Sequence, residues 1–213
     1  MKAVVTGSAG FIGKHLFAAL ENKGWEVAGI DLKTGDDILT CDLPEADAAF
    51  HLAAQTDAYF QDAEADAAVN IMGALRVFRR YGARAVFASS SMVNYPTTPY
   101  AISKRAAEMY AALYGVSVVR FCNIIGPGGH SVFDRFAEAE ELTIYGTGEQ
   151  RRTYTHVELA VEALMARLGM GGVFVLAGAE LSVNDIADKF PEKPRRYLPA
   201  RHGDMIEGRQ VLA

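Results

Sequence analysis

Near its N-terminus the chain reads Thr6-Gly-Ser-Ala-Gly-Phe-Ile-Gly13, between a short apolar run at Lys2–Thr6 and a helical pattern at Gly13–Lys23. Glycine lacks a Cβ atom, so it adopts tight-turn conformations and allows backbone groups to approach one another or a ligand closely. The spacing of the glycines therefore predicts a strand, a tight turn and a helix in immediate succession. The first backbone N–H groups of such a helix have no partner within the helix, and they form a binding site for an anion.

An acidic residue stands where the second strand is predicted to end. Asp31 closes the run Trp25–Asp31 and lies 18 residues after Gly13. A carboxylate at this place accepts hydrogen bonds from the hydroxyls of an adenosine ribose and repels a 2′-phosphate. Leu32 and Lys33 follow, and neither is an arginine that would bind that phosphate. Together, the glycines and the acid predict a bound dinucleotide, with NAD favoured over NADP.

Beyond these segments, the first part of the chain alternates β-rich runs with helical patterns. Strands that alternate with crossover helices predict the fold class, which is α/β with a Rossmann-type doubly wound parallel sheet. We predict strands at Lys2–Thr6, Trp25–Asp31, Ile38–Asp42, Ala48–Leu52, Ala85–Ser89 and Ser117–Phe121, and helices at Gly13–Lys23, Ala65–Tyr81 and Tyr100–Tyr114.

The pattern changes at the glycine-rich turn Gly126-Pro-Gly-Gly129. We predict a dinucleotide-binding domain at residues 1–125 and a small C-terminal α/β lobe at residues 126–213. The lobe is too short to form an independent core, so we expect it to be interleaved with the first domain in a single compact unit. Its predicted elements are strands at Leu142–Tyr145 and Gly172–Leu176 and helices at Val157–Leu168 and Val183–Phe190.

Composition argues against several classes of function. The chain has 213 residues and a net charge of −5, so we expect no broad basic surface for nucleic-acid phosphates and no nucleic-acid partner. The N-terminal segment has neither the apolar core of a signal peptide nor the length to span a membrane, so no membrane partner is expected. Cys41 and Cys122 form no C-x-x-C pair, and they predict reduced thiols in the cytoplasm.

A tyrosine and a lysine lie four residues apart in Tyr100-Ala-Ile-Ser-Lys104, and the tyrosine follows Ser91 by nine residues. On a helix this spacing places the phenol and the ammonium on one face. A tyrosine must lose its proton to act as a base, and a neighbouring cation stabilises the phenolate that forms. Beside a bound dinucleotide, this pair predicts redox chemistry on an alcohol.

Taken together, these motifs resemble one known family. In chain order they are Thr6-Gly-Ser-Ala-Gly-Phe-Ile-Gly13, His51-Leu-Ala-Ala54, Ser89-Ser-Ser91, Tyr100-x-x-x-Lys104, Arg120-Phe-Cys-Asn123, Gly146-Thr-Gly-Glu-Gln-Arg-Arg152, Tyr154-Thr-His-Val157 and Arg201-His-Gly-Asp204. The order is similar to that of the extended short-chain dehydrogenase/reductases, and within them of the nucleotide-sugar epimerases and dehydratases. Typical relatives are longer, so the resemblance implies an unusually compact member.

For the chemistry, the resemblance implies that Tyr100 is the catalytic base or acid. Lys104 would bind the nicotinamide ribose and lower the pKa of the phenol. Ser91 would hydrogen-bond the reacting sugar oxygen, because the family's catalytic Ser or Thr lies four residues before an aromatic residue, here Tyr95. Asn70 matches a position that supports the active site.

The resemblance also implies binding residues in the dinucleotide-binding domain and the substrate-binding lobe. The cofactor contacts would be Gly7, Gly10, Phe11, Ile12, Gly13, Asp31, Leu32, Asp42, Leu43, Leu52, Ala53, Ala54, Gln55, Asn70, Ser89, Tyr100, Lys104, Phe121 and Cys122. The substrate contacts would be Ser91, Asn123, Arg152, Arg201 and Asp204. The two arginines suit a nucleotide diphosphate, because a guanidinium binds phosphate oxygens bidentately.

The implied activity is NAD-dependent epimerisation of a nucleotide sugar, similar to that of UDP-glucose 4-epimerases, through a keto-sugar intermediate. Dehydratase and decarboxylase activities rank lower, because the family's dehydratases carry acidic residues directly after the catalytic Ser or Thr, where this chain has Met92-Val93. Reductase or dehydrogenase action stays open. A non-catalytic NAD-binding sensor or scaffold is the alternative that is not an enzyme. The histidines show no metal-ligand spacing, so no metal site is predicted.

Relatives commonly dimerise through the two helices that correspond here to Ala65–Tyr81 and Tyr100–Tyr114. The resemblance therefore implies a homodimer. Its apolar contacts would come from Val69, Met72, Val77, Met109 and Leu113.

Overall fold

The computed structural model describes residues 1–57 and 62–199, and the chain divides into two compact units. The first unit comprises Met1–Phe121 and Glu158–Leu176, and the second comprises Cys122–Val157 and the chain from residue 177 onward. The predicted domain boundary after residue 125 lies close to the boundary between the two units that follows Phe121. The prediction did not include the return of the chain to the first unit at residues 158–176.

A parallel six-stranded sheet lies at the centre of the first unit. In chain order the described strands are β1 (Lys2–Thr6), β2 (Glu26–Ile30), β3 (Ala48–His51), β4 (Ala85–Ser90), β5 (Ser117–Phe121), β6 (Asn123–Ile125), β7 (Leu142–Tyr145), β8 (Arg151–His156), β9 (Val173–Val175), β10 (Ala179–Ser182) and β11 (Arg195–Leu198). The large sheet has the order β2-β1-β3-β4-β5-β9, and every neighbouring pair is parallel. All four residues of β3 are buried, as expected for a parallel sheet covered on both faces. The predicted fold class is confirmed.

Helices alternate with the strands in both units. In chain order the described α-helices are α1 (Phe11–Asn22), α2 (Ala63–Ala67), α3 (Ala74–Tyr81), α4 (Pro99–Leu113), α5 (Val132–Glu138), α6 (Val157–Ala166) and α7 (Val183–Ala187). A π-helical segment, Ala68–Gly73, joins α2 to α3, so the predicted helix at Ala65–Tyr81 is confirmed but is not uniform. The side chain of Thr98 accepts the Ala101 N–H at 3.2 Å and starts α4, with Pro99 in its first turn. Within residues 1–57 and 62–199, no helix is long and apolar enough to cross a bilayer.

The chain reverses its direction across the large sheet at β1, because β1 pairs with β2 on one side and β3 on the other. In doubly wound sheets, ligands bind beyond the carboxyl ends of the strands at such a switch point. Here hydrogen bonds link the carboxyl end of β1 to the residues that follow β3. Leu52 donates its N–H to the Thr6 carbonyl at 3.0 Å, and Ala53 donates its N–H to Thr6 Oγ1 at 3.2 Å.

The second unit contains two small sheets, with the orders β10-β8-β6 and β11-β7. Its helices α5 and α7 begin with reciprocal capping boxes, Ser131 with Asp134 and Ser182 with Asp185. Its core is apolar and includes Phe136, Leu142, Ile144, Tyr154, Ile186 and Ala187. The predicted strand at Leu142–Tyr145 is confirmed. The strands β6, β8, β10 and β11 were not predicted, because each is short or largely polar and lacks a clear alternating pattern.

One predicted strand is wrong. Ile38–Asp42 forms a turn in which Thr40 and Cys41 donate their N–H groups to the Asp37 carbonyl at 3.0 and 2.7 Å. The Asp37 side chain also accepts the Leu39 N–H at 2.9 Å. An aspartate at the start of a turn takes up backbone N–H groups that a strand would donate to its neighbour. Ile38 is nevertheless buried in the core, so its apolar character indicated burial and not a strand.

Candidate active site

The glycine turn packs tightly against the ends of β1 and β3. Gly7 has φ +72°, and a Cβ there would lie 2.7 Å from Ala53 N and 2.8 Å from the Leu52 carbonyl carbon. A Cβ on Gly13 would lie 2.0 Å from the Gly7 oxygen, so the turn also packs against the start of α1. Gly10 is the N-cap of α1 and brings no side chain to the first N–H groups. Such a backbone cradle binds phosphate groups.

Asp31 is fixed beside this turn at the carboxyl end of β2. Its Oδ2 accepts the Ala9 N–H at 2.9 Å and its Oδ1 accepts the Lys33 N–H at 2.8 Å. The following Leu32 is 75% exposed. The structure thus brings together the glycine turn, the acid and the exit of β3, as the sequence predicts for a dinucleotide site. Asp42 ends the turn Ile38–Asp42 and Leu43 comes after it, so these two predicted cofactor contacts do not follow a strand.

Asn70 lies in the π-helical segment and holds the chain that follows β3. Its Oδ1 accepts the Gln55 N–H at 2.8 Å, and its Nδ2 lies 3.0 Å from the Gln55 carbonyl oxygen. The same nitrogen lies 3.1 Å from Asp66 Oδ2 and 3.0 Å from Ser103 Oγ. Both the oxygen and the nitrogen of this buried amide therefore contact protein groups. Asn70 thus fixes the backbone of Gln55, one of the predicted cofactor contacts, and π-helical segments are frequent at functional sites.

Tyr100 and Lys104 lie on one face of α4, as the four-residue spacing predicts. Lys104 Nζ lies 5.9 Å from the centroid of the Tyr100 ring and 4.6 Å from that of Phe87. It donates a hydrogen bond to the Ala88 carbonyl at 2.9 Å. Burial lowers the pKa of Lys104 to about 7, while the negative charges of Asp66 and Glu108 act in the opposite direction.

The phenol of Tyr100 is shifted in the direction opposite to the one that the resemblance implies. Burial raises the pKa of Tyr100, the hydrogen bond with the Ser90 side chain lowers it, and the negative charge of Asp66 raises it. The net direction is upward because burial is the largest of these effects. The phenol is therefore held in its protonated form, and added positive charge nearby would favour the phenolate.

The three consecutive serines at the end of β4 have different environments. Ser89 donates its hydroxyl to Glu108 Oε1. Ser90 is the serine whose side chain hydrogen-bonds Tyr100, and its Oγ also accepts the Met92 N–H at 3.2 Å. Ser91 begins the 3₁₀ turn Ser91–Asn94 and is buried. The sequence motif points to Ser91, whereas the serine whose side chain contacts the phenol in the structure is Ser90. The catalytic role of Ser91 stays a prediction.

A buried ion pair supports this serine-bearing segment. Arg120 donates to the Glu108 carboxylate through Nε at 2.9 Å and Nη2 at 2.7 Å, and to Asn94 Oδ1 through Nη1 at 3.1 Å. Arg120 was predicted only as part of the motif Arg120-Phe-Cys-Asn123, and Glu108 was not among the predicted residues. Buried charges are paired in folded proteins. An arginine within a predicted strand therefore indicates that an acidic side chain lies near it, and this was the only sequence signal for Glu108.

The predicted substrate contacts at Asn123 and Arg152 lie in the second unit, and Phe121 ends β5 of the first. Asn123 on β6 donates its Nδ2 to the Thr153 carbonyl at 3.1 Å. Arg152 on β8 donates Nη1 to the Arg151 carbonyl at 2.9 Å. Cys122 begins the second unit. The predicted contacts at Arg201 and Asp204 lie outside the described residues.

Comparison with known sequences gives a consistent set of relatives. A family model described as the NAD dependent epimerase/dehydratase family matches residues 3–177. The chain is 29% identical to an uncharacterized UDP-glucose epimerase, YtcB, of Bacillus subtilis, over 274 residues that cover 98% of this chain and 87% of that one. It is 28% identical to a UDP-N-acetyl-alpha-D-glucosaminuronate decarboxylase of Bacillus cytotoxicus, with coverage of 87% and 78%. The first alignment is longer than the 213-residue chain, so the relative has internal segments that this chain lacks.

Comparison with solved structures finds proteins of the same kind as the comparison with sequences. MoeE5 in complex with UDP-glucose and NAD has a TM-score of 0.85 and 28% identity, over 96% of this chain and 87% of that one. The NAD dependent NDP-hexosamine 5,6-dehydratase TunA has a TM-score of 0.83 and 25% identity, over 95% and 86%. The relatives thus share the fold and include more than one type of reaction.

Proposed function

Because the chain belongs to the NAD-dependent epimerase/dehydratase family, whose members act on nucleotide sugars, we propose that it is an epimerase of a UDP-sugar. It is an enzyme and its cofactor is NAD. The residues at the switch point fit this cofactor, because a Cβ on Gly7 or Gly13 would collide with neighbouring backbone, and only glycine allows the tight turn whose helix N–H groups can bind a pyrophosphate. The observation that carries the proposal is the convergence of Tyr100, Lys104 and the Ser90 hydroxyl.

Within this proposal, NAD supplies the acceptor for a hydride from the sugar carbon and later returns it. Tyr100 removes the proton from the sugar hydroxyl in the first step and gives it back in the second. The serine hydroxyl that hydrogen-bonds Tyr100 holds the phenol oxygen in place. Lys104 stabilises the phenolate while its ammonium is protonated. Return of the hydride to the opposite face of the keto-sugar inverts the carbon.

The segment after the serines favours epimerisation over dehydration. Elimination of water needs an acid and a base in addition to the redox pair. Met92 and Val93 stand where the related dehydratases carry acidic residues, and Val93 is buried. Neither side chain transfers a proton. The decarboxylase and dehydratase among the relatives make these the activities against which the proposal is tested.

The test is product analysis with purified protein, NAD and UDP-glucose. We expect conversion to the 4-epimer without net consumption of NAD. Tyr100→Phe should lower turnover by at least about 10²-fold, because it removes the proton-transfer group. Tyr110→Phe is the matched control, since Tyr110 lies on the same helix and is partly exposed.

Three results would contradict this assignment. Full turnover by Tyr100→Phe would remove Tyr100 from the mechanism. A dehydrated or decarboxylated product from the corresponding UDP-sugar would place the chain with the other reactions of the family. Bound NAD without turnover of any UDP-sugar would favour the sensor.

We also propose that the protein forms a homodimer. Its interface would be the exposed face of α4 and of the π-helical segment. Met109 is 67% and Leu113 is 79% exposed, and Met72 of the π-helical segment is 57% exposed. Val77 lies in the core and Val69 packs against it, so neither serves this surface as first expected. Exposed apolar side chains of this size mark interaction surfaces when they are contiguous.

Light scattering tests the dimer. We expect a mass of two chains for the unaltered protein and of one chain for Leu113→Lys. Leu159→Lys is the control, because Leu159 is also exposed but lies on α6. A monomer at all micromolar concentrations would refute the proposal. The cytoplasmic location and the substrate contacts of Asn123 and Arg152 stay predictions.

A further inference from the structure

A buried carboxylate lies beside the proposed catalytic pair and has no role in the mechanism described so far. Asp66 on α2 is 1% exposed, and its Oδ2 lies 3.1 Å from Asn70 Nδ2. Its Oδ1 has no hydrogen-bond donor among residues 1–57 and 62–199. Burial of a carboxylate is unfavourable unless hydrogen bonds or an opposite charge offset its lost hydration. The groups around Asp66 must therefore offset the hydration that its carboxylate loses on burial.

Asn70 compensates this carboxylate only in part. Its Nδ2 carries two hydrogens but faces three acceptors, which are the Gln55 carbonyl, Ser103 Oγ and Asp66 Oδ2 at 3.0, 3.0 and 3.1 Å. The Ser103 hydroxyl is not a donor to the amide, because it donates to the Tyr100 carbonyl at 3.0 Å. The amide nitrogen is therefore shared, and Asp66 receives less than one full hydrogen bond.

The remaining compensation comes from charge on α4, which packs against α2. Lys104 is the cation whose charge interacts with Asp66, and Tyr100 is the other ionisable group of α4 that does so. Lys104 also interacts with Glu108 on its own helix and with the buried His51 on β3. The negative charge of Asp66 thus acts on both members of the pair, whereas Glu108 forms an ion pair with Arg120 at 2.7 Å.

We propose that Asp66 is a positioning residue that sets the charge of the pair, because its carboxylate holds the Lys104 ammonium and the Tyr100 phenol in their protonated forms. Burial is the largest effect on Lys104 and leaves its pKa at about 7, although the charges of Asp66 and Glu108 oppose this shift. Asp66 also raises the pKa of Tyr100. The acid therefore preserves the cation that the reaction needs. It delays phenolate formation until the positive charge of a bound oxidised dinucleotide is present.

The test replaces the charge and keeps the shape with Asp66→Asn, and it uses the protein without cofactor. Ultraviolet difference titration against the Tyr100→Phe form of the same variant isolates the ionisation of Tyr100. Carbon-13 NMR of the lysine ε-carbons, assigned with Lys104→Met, follows Lys104. Both groups should titrate at lower pH in Asp66→Asn by on the order of one pH unit. The control Glu64→Gln removes the same charge from an exposed position of α2 and should change neither.

Unchanged titrations in a folded Asp66→Asn protein would overturn the proposal. If that variant does not fold, Asp66→Ser provides a second test, because it also removes the charge and leaves a hydroxyl that can accept the Asn70 amide. Unchanged titrations of Tyr100 and Lys104 in a folded Asp66→Ser protein would likewise overturn the proposal. Neither measurement needs turnover, so these results are independent of the proposed function.

The consequence for activity depends on the proposed function. If the enzyme epimerises a UDP-sugar, both limbs of its pH–rate profile should move to lower pH in Asp66→Asn, because the profile reports Tyr100 and Lys104 and both lose their protons more easily without the carboxylate. A purely structural role would lower the rate without moving the profile. Restoration of the original profile by Asp66→Glu would support the charge as the cause.

Discussion

At the residue scale, the three serines that end β4 differ in what their hydroxyls contact. Ser89 is held by Glu108, Ser90 hydrogen-bonds Tyr100, and Ser91 is buried at the start of a 3₁₀ turn. Both Ser89 and Ser90 contact α4, but their partners are Glu108 and Tyr100 respectively, so the partner on the helix distinguishes these two serines.

Alanine substitutions distinguish Ser90 from Ser91. We expect Ser90→Ala to lower turnover by about 10²-fold, because it removes the hydrogen bond to the reacting phenol. It should also move the ionisation of Tyr100 to higher pH, since this hydrogen bond lowers the pKa of Tyr100. Ser91→Ala should leave that ionisation unchanged. Steady-state kinetics and phenol titration measure both effects, and a larger effect of Ser91→Ala on both would restore the assignment made from the sequence.

At the element scale, the first strand, the glycine turn and α1 form one local unit whose geometry depends on the absence of side chains. The Cβ of any other residue at position 13 would overlap the Gly7 oxygen. The helix start and the strand end then have to separate, and the N–H groups that form the anion site move with them.

Gly13→Ala tests this dependence. We expect NAD binding, measured by calorimetry, to be lost, and the free energy of unfolding to fall by about 2–3 kcal/mol from overpacking. Gly24→Ala is the control at the other end of α1. Gly24 has φ +77°, and a Cβ there meets no atom within 4 Å, so this variant should lose about 1–2 kcal/mol from backbone strain and still bind NAD. Equal NAD affinity in both variants would contradict the proposed cradle.

At the scale of the whole molecule, buried ionisable groups make stability depend on pH. Burial lowers the pKa of His51 to about 3, and the positive charge of Lys104 adds to this shift. The unfolded chain therefore binds a proton at His51 between about pH 6.5 and pH 3 that the folded chain does not bind, and stability falls as the pH falls through this range. Lys104 acts in the same direction at higher pH. Its pKa falls from 10.5 to about 7 on folding, so stability rises with pH between these values.

Lys104→Met should remove the second of these dependences. Relative to this variant, the unaltered protein should gain stability as the pH rises from 7 to 10.5, by up to about 5 kcal/mol. Urea unfolding at a series of pH values measures the difference. Lys14→Met, at an exposed position of α1, should show no such gain over the same range. A difference between the unaltered protein and Lys104→Met that does not change with pH would contradict the burial of a titrating ammonium.

Much of the fold could be predicted, because the glycine turn and the alternation of apolar runs are local patterns. The wrong strand at Ile38–Asp42 shows where this reasoning fails, since Ile38 is buried from within a turn that Asp37 organises. The polar strands β6 and β8 were missed for the converse reason. Their pairing satisfies backbone groups, with Asn123 opposite Tyr154, and no periodic side-chain pattern accompanies it.

The sequence by itself determined the strand–turn–helix unit, the placement of Tyr100 and Lys104 on one helix face and the family to which the chain was matched. These features depend on steric limits and helical periodicity, which act over a few residues. Only the tertiary structure decided that Ser90 contacts Tyr100, that burial raises the pKa of the phenol, and that Asp66 lies buried beside the pair. Burial and charge interactions depend on residues far apart in the chain that the fold brings together, so local sequence does not contain them.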